Sequence, residues 1–187
     1  MKVQNFKMRV NSQESEIVQK LSVEYQELLE LCNERFDYDY ETGFLLWKNR
    51  PSNRIEVGDI AGHLNRSGYV EVGVNGRLYP AHRLIFLMHH KHLPKCLDHI
   101  DNNPSNNLID NLREATFSQN QHNQKLSSKN TSGVKGVSWV KGKNKWKVQI
   151  MFKGNRFNFG HFDDLEEASI VVRNKREELH KEFANHG

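Results

Sequence analysis

Leu97-Asp98-His99-Ile100-Asp101-Asn102-Asn103-Pro104-Ser105-Asn106-Asn107, followed by Asn111-Leu112-Arg113-Glu114-Ala115-Thr116 and Ser118-Gln119-Asn120-Gln121-His122-Asn123, is the densest run of chemistry in this 187-residue chain. Pro104 and the asparagines around it make the middle a turn-rich loop, because asparagine side chains fold back on nearby backbone and proline fixes φ. Residues 111–116 read as a second strand. Ser118 is then a candidate cap for a short helix that contains Asn120. The local plan is strand, loop, strand, helix, and it brings Asp98, His99 and Asn120 near one point.

Those residue types suit phosphodiester hydrolysis. That reaction needs a hard cation held by oxygen, a base for water, and cationic support for the phosphate. Asp98 and the amide oxygen of Asn120 suit a Mg²⁺-type ion, which takes few protein ligands and keeps its waters. An imidazole, with an ordinary pKa of ~6.5, is the side chain suited to act as base, and His99 supplies one. Neighbouring residues of a strand face opposite ways, so His99 and Asp98 would act from opposite sides of an in-line displacement. Alone, Asp98-His99 reads better as a structural or accidental pair; the spacing to Asn111 and Asn120 favours catalysis.

Upstream, residues 12–35 read as a helix. Ser12 or Ser15 caps it, and Ile17, Val18, Leu21, Tyr25, Leu28 and Leu31 form a rough 3.6-residue stripe. Short strands follow at Phe44-Leu45-Leu46-Trp47 and Tyr69-Val70-Glu71-Val72-Gly73-Val74, with Asn75-Gly76 as a type I′ turn into Arg77-Leu78-Tyr79. Residues 81–90 are apolar enough for a buried helix. His82 lies there, either a packed histidine or a support for the site. His89, His90 and His92 lack cysteine partners or ligand spacing and read as a surface cluster. Arg113 stands between a phosphate contact and an ion pair.

Downstream, residues 121–131 have linker chemistry, with a boundary near 127–130. Residues 134–139, 145–152 and 156–162 read as three strands, and Asp163 or Asp164 caps a helix over 165–183. Residues 125–187 carry 13 Lys/Arg against 7 Asp/Glu, whereas the chain before them carries 14 against 16. Residues 115–162 contain no carboxylate at all. A single-sign stretch of that length repels itself unless an anion meets it, and nucleic acid is the favoured anion over a merely solvated face. Hydrophobic residues make up 36% and aromatics 10%, too polar for one large core and too aromatic for disorder. No apolar run nears the ~20 residues of a membrane span. Residues 1–10, with Lys2, Lys7 and Arg9, lack a signal-peptide core, and Cys32 and Cys96 are too few for a disulfide framework or a four-thiolate zinc site. A cytoplasmic protein is the expectation.

The motif Asp98-His99-Ile100-Asp101-Asn102-Asn103, Asn106-Asn107, Asn111 to Thr116 and Gln119-Asn120 resembles the HNH endonucleases, in particular the phage and intron-encoded homing type. Tyr38-Asp39, Thr42-Gly43, Trp47-Lys48, Gly58-Asp59, Ala61-Gly62, Gly68-Tyr69 and His82-Arg83-Leu84 resemble the segment that precedes that motif. The resemblance covers residues 36–123. It implies that Asp98 binds metal, that His99 is the general base, that Asn111 braces the loop and orients His99, and that Asn120 completes the metal site. His82, Arg113 and Asn123 are candidate supports. Asparagine rather than histidine at the third motif position implies Mg²⁺ or Mn²⁺ rather than zinc.

Residues 132–184 resemble the APETALA2-type domain of plant ethylene-response factors, through Lys135-Gly136-Val137-Ser138, Lys145-Trp146-Lys147-Val148-Gln149-Ile150, Arg156, Phe159-Gly160-His161-Phe162 and Glu166-Glu167-Ala168. In that family a three-stranded sheet reads the major groove. The resemblance makes Lys135, Ser138, Trp146, Gln149, Arg156 and Asn158 candidate contacts to double-stranded DNA, and the basic stretch adds Lys143, Lys145 and Lys147. Trp146 reads equally as a residue packed under the sheet. Several positions depart from the plant pattern, so the target sequence does not carry over.

The expectation is an α+β chain: a helical segment over 1–35, an HNH ββα-metal nuclease region with its preceding small sheet over 36–126, and over 130–187 a small three-stranded antiparallel sheet packed on one helix. The expected function is that of a phage- or mobile-element-encoded, metal-dependent DNA endonuclease. A DNA-binding regulator with an inert nuclease-like half is the rival. An RNA-binding protein fits less well, because the basic strands lack the clustered surface aromatics of single-strand platforms.

Overall fold

The computed structural model describes residues 12–124 and 126–187. Residues 1–11 with Lys2, Lys7 and Arg9, the residue Lys125, and the side chains of Ser12, Ser15, Ile17, Val18 and Leu21 lie outside the described set. The fold mixes helices with small antiparallel sheets, and its contacts divide it into a unit ending at Leu93 and a second unit, Pro94–Gly187.

The first unit begins with helix α1 (Ser12–Arg35), which ends against strand β1 (Phe36–Tyr38). β1 pairs antiparallel with β2 (Leu45–Trp47), bringing the Phe36 and Trp47 rings to 4.8 Å. Strands β3 (His63–Leu64), β4 (Val70–Val74) and β5 (Arg77–Pro80) form a meander. Asn75 (φ 48°) and Gly76 (φ 77°) both adopt the left-handed conformation that a type I′ turn requires. Helix α2 (Ala81–His90) buries Leu84, Ile85 and Leu87 and stops at Lys91, a left-handed cap whose N–H returns to the Leu87 carbonyl.

In the second unit, β6 (Cys96–His99) pairs antiparallel with β7 (Leu112–Ala115), and helix α3 (Phe117–Asn123) follows. The expected Ser118 cap is replaced by Thr116. Its hydroxyl accepts the Gln119 N–H at 3.2 Å while the Gln119 side chain accepts the Thr116 N–H at 2.7 Å, a reciprocal capping box that starts the helix one residue before Ser118. Strands β8 (Val137–Val140), β9 (Lys145–Phe152) and β10 (Asn155–Phe162) form the C-terminal sheet in order β10-β9-β8. Its first strand starts at Val137 rather than at residue 134, because residues 130–136 turn on the Asn130 and Ser132 side chains. Asp164 caps helix α4 (Leu165–His180), and a 3-10 turn over Lys181–Phe183 completes the expected helical span.

Val137, Val148, Ile150, Ala168 and Val172 form the core between this sheet and α4. Gly136 (φ 80°) enters it where no side chain fits: a Cβ would meet the Gln149 carbonyl at 2.8 Å and Val172 Cγ2 at 3.0 Å. The expected boundary near 127–130 falls inside the second unit, and contacts span it. The Asn185 amide reaches Asn123, Arg113 reaches the Glu182 carbonyl, and the His122 and His180 rings stack 3.8 Å apart.

Candidate active site and nucleic-acid interface

Every residue of β6 is buried, Asp98 to 3% exposure and His99 to 7%. A buried carboxylate must be matched, and the register supplies the match by setting Asp98 directly across from Arg113. Arg113 Nε and Nη2 both donate to Asp98 Oδ2, at 2.8 and 2.7 Å. Asn123 Nδ2 donates to both Asp98 oxygens at 3.0 Å and to the His99 carbonyl at 2.8 Å. Arg113 is therefore the ion-pair partner of the two readings considered. Asn123, expected only as a support, ties α3 to β6 at Asp98 and His99.

Asn120 sits on the same helix but reaches Cys96 instead, its Nδ2 lying 3.4 Å from Sγ. The structure thus gathers Cys96, Asp98, Asn120 and Asn123 on the α3 side of β6 without a hydrogen bond between Asp98 and Asn120. A hard divalent ion asks for oxygen donors. Asp98 Oδ1 accepts one hydrogen bond where Oδ2 accepts three, and with its nitrogen turned to Cys96 the Asn120 amide keeps its oxygen as a donor. This donor set fits a Mg²⁺- or Mn²⁺-type ion. Among the described residues no group of three His, Cys, Asp or Glu is placed to hold a metal ion.

The imidazole of His99 is met by Asn107, 1% exposed, whose Oδ1 lies 3.2 Å from His99 Nε2. An amide oxygen only accepts, so in this contact Nε2 is the donor. Asn107 stands in the quoted motif, but no role attached to it. One asparagine in a run of them carries no individual signal until the loop is folded.

Asn111 ties the loop together through both ends of its amide. Its Nδ2 donates to Asp101 Oδ1 (2.9 Å) and to the Asn106 carbonyl (2.8 Å), and its Oδ1 accepts the Asp101 N–H (3.1 Å). It reaches His99's neighbourhood through backbone, the Ile100 N–H donating to the Asn111 carbonyl at 2.9 Å. Burial raises the Asp101 pKa, but the Asn103 N–H, the Asn106 and Asn111 amides and the nearby His99 charge outweigh it and hold the carboxyl below its ordinary value. His82 belongs to the first unit, buried in the first turn of α2 with its ring 5.5 Å from that of Tyr69.

The C-terminal sheet has one face on α4 and one facing outward. Residues of β9 alternate between them: Trp146, Val148 and Ile150 face the core, while Lys145, Lys147, Gln149 and Met151 face out. Cross-strand register adds the rows Ser138, Lys147, His161, then Gln149, Asn158, then Met151, Arg156. Ser138, Lys147, Gln149, Arg156 and Asn158 are therefore brought together on a single face. Lys143, Lys147 and Lys145 lie close enough to join burial in lowering the His161 pKa. Lys145 also pairs with Asp163 at 2.8 Å.

Two expected contacts lie elsewhere. Trp146 is on the core face, edge-on to Trp139 at 4.9 Å. Lys135 precedes β8, and its ammonium donates to the His122 carbonyl at 3.0 Å and to the Gln124 carbonyl. Burial, with Arg176 nearby, lowers its pKa to about 8. That lysine ties the strand-loop-strand-helix segment to the C-terminal sheet and is not displayed outward.

Residues 79–122 match a family model described as HNH endonuclease. The chain is similar to Protein 3.8 of Escherichia phage T7, with 43% identity over 88 residues, 47% of this chain and 72% of that protein. It is also similar to the uncharacterized HNH endonuclease L560 of Acanthamoeba polyphaga mimivirus, with 34% identity over 125 residues, 65% of this chain and 64% of that one. No solved structure matches it. No described helix is long and apolar enough to cross a membrane.

Proposed function

We propose, on the premise that this chain belongs to the HNH endonuclease family, that it is a metal-dependent endonuclease of the homing type, hydrolysing double-stranded DNA near sites its C-terminal sheet selects. The observation that carries the reading is the pair on β6: a carboxylate fixed by Arg113 and Asn123 next to an imidazole fixed by Asn107. Asp98 and Asn120 would hold a divalent ion, Mg²⁺ or Mn²⁺. When bound, it supplies charge for the phosphate and leaving oxygen.

The protein's own groups do the rest. His99 Nδ1 accepts the proton of the attacking water, and the Nε2 contact to Asn107 keeps the imidazole in the tautomer that allows it. Asn111 and Asp101 hold the loop over residues 101–106 in shape beneath it. Arg113 holds the Asp98 carboxylate in one rotamer rather than meeting the substrate.

Affinity comes from the outward face of the C-terminal sheet, read as an APETALA2-type unit. Lys147 and Arg156 neutralise phosphate or address base edges, and Ser138, Gln149 and Asn158 offer hydrogen bonds to them. Exposed Lys143 and half-buried Lys145 extend the charge at the end of the sheet, and the pair of Lys145 with Asp163 is weak enough to be exchanged for a phosphate. Supercoiled plasmid incubated with Mg²⁺, with and without EDTA, tests the reading. Nicked or linear product only where the ion is free supports it. Duplex binding without cleavage in Mg²⁺ and in Mn²⁺ replaces it with the DNA-binding regulator.

A further inference from the structure

We infer that the C-terminal segment, residues 181–187, is part of the nuclease site: Glu182, Phe183 and Asn185 are positioning residues that hold the Asp98 carboxylate through Arg113 and Asn123. The inference rests on the nuclease reading above and deepens it. It adds a support for the chemistry to the DNA-binding role of the C-terminal part.

Two side chains connect the tail to Asp98. The guanidinium of Arg113 forks onto Asp98 Oδ2 along one edge. Along another, Nη1 donates to the Glu182 carbonyl at 2.6 Å, and the plane lies over the Phe183 ring, 3.8 Å from its centroid. An arginine carries several rotatable bonds, and its fork is worth most when something else has already stopped them. Phe183, 4% exposed, is that stop.

Asn123 needs a different kind of help. A carboxamide is almost symmetric in shape, so the partners of its oxygen decide which end meets Asp98. If it flipped, its oxygen would face a carboxylate. Asn185 Nδ2 donates to Asn123 Oδ1 at 3.2 Å and to the Asn123 carbonyl, at the end of α3, at 2.8 Å. Asn102 Nδ2 makes the other bond to that oxygen, at 3.0 Å. The tail therefore acts on both residues that hold the proposed metal ligand, across 69 residues of chain for Arg113 and 62 for Asn123.

The test uses the full chain and two variants. Asn185→Ala removes a partly exposed amide, and Phe183→Leu keeps most of the apolar volume while removing the ring. Mn²⁺ affinity is read by electron paramagnetic resonance of the free ion, cleavage by plasmid nicking against Mg²⁺ concentration, and duplex affinity by fluorescence anisotropy in EDTA. Removing outer supports of a metal ligand typically costs about 10–100-fold in metal affinity or activity. We expect each variant to bind Mn²⁺ about 10-fold more weakly, to cut poorly at low Mg²⁺ and recover at high Mg²⁺, and to bind duplex within about twofold of the parent, because no tail residue lies on the outward face of the sheet.

Unchanged Mn²⁺ affinity in both variants overturns the inference, whether or not cleavage falls. Should the parent neither cut DNA nor bind Mn²⁺, the nuclease reading fails. The Arg113 Nε–H resonance then decides the tail's role. Slow exchange in the parent and fast exchange in both variants upholds it, and equal exchange overturns it.

Discussion

Acid should loosen the second unit through one histidine. His180 is 9% exposed and stacks on His122 at 3.8 Å and 7°. Its Nε2 donates to the Met151 carbonyl at 3.1 Å, and its buried Nδ1 has no hydrogen-bond partner among the described residues. Burial, then the charges of His122, Arg176 and Lys135, push its pKa from 6.5 down to about 4, against the opposing pull of the Met151 carbonyl. Between those values the unfolded chain binds a proton that the folded one refuses, so stability rises with pH. The contribution is complete above 6.5 and is lost as pH falls toward 4.

At pH 5 an unfolded imidazole is ~97% protonated and the folded one ~10%, which amounts to about 2 kcal/mol. With a urea m-value of about 1 kcal/mol/M for a unit of this size, the unfolding midpoint should drop by about 2 M between pH 7.5 and 5 from this residue alone. Urea unfolding at the two pH values, followed through Trp139 and Trp146 in a Trp47→Phe background, measures the drop. His180→Gln, which keeps a donor for the Met151 carbonyl but does not titrate, should remove about 2 kcal/mol of the pH dependence. An equal acid loss in parent and variant refutes the reasoning. So does a His180 Hε1 proton resonance that titrates near 6.5.

Four further substitutions probe the site and the sheet. His99→Ala should lower cleavage by about 10²–10⁴ with duplex affinity unchanged, checked by single-turnover nicking beside anisotropy; cleavage within a few-fold of the parent removes His99 as base. Replacing Lys147 with Ala should weaken binding to all duplexes alike and flatten the log K against log[salt] slope by about one, whereas Arg156→Ala should relax preference at one position of a randomised site. Gly136→Ala should destabilise the second unit by about 2–4 kcal/mol in urea unfolding, since its left-handed φ and the Gln149 carbonyl 2.8 Å away both resist a methyl group.

By itself the sequence marked most local elements and an HNH-type motif. Asn75-Gly76 specifies its turn because two consecutive positive φ angles admit few residues. The alternation along β9 separates the core-facing Val148 and Ile150 from the outward Lys147 and Gln149, because a strand has a period of two. The spacing of Asp98, His99, Asn111 and Asn120 marks the nuclease motif, which is why the matched residues 79–122 coincide with it.

What only the tertiary structure decided is who holds whom. Asparagines at 102, 107, 111, 120 and 123 look alike as letters, and folding gave His99 to Asn107, Cys96 to Asn120 and Asp98 to Asn123. Lys135 reads as a basic side chain for DNA until its ammonium is found on the carbonyls of His122 and Gln124. Glu182, Phe183 and Asn185 carry no motif at all. Their part at Asp98 depends on contacts 60 or more residues apart in the chain. Local pattern reports propensity and face, both set by near neighbours, whereas the partner of a buried polar group is chosen by whichever distant segment the packing brings within 3 Å.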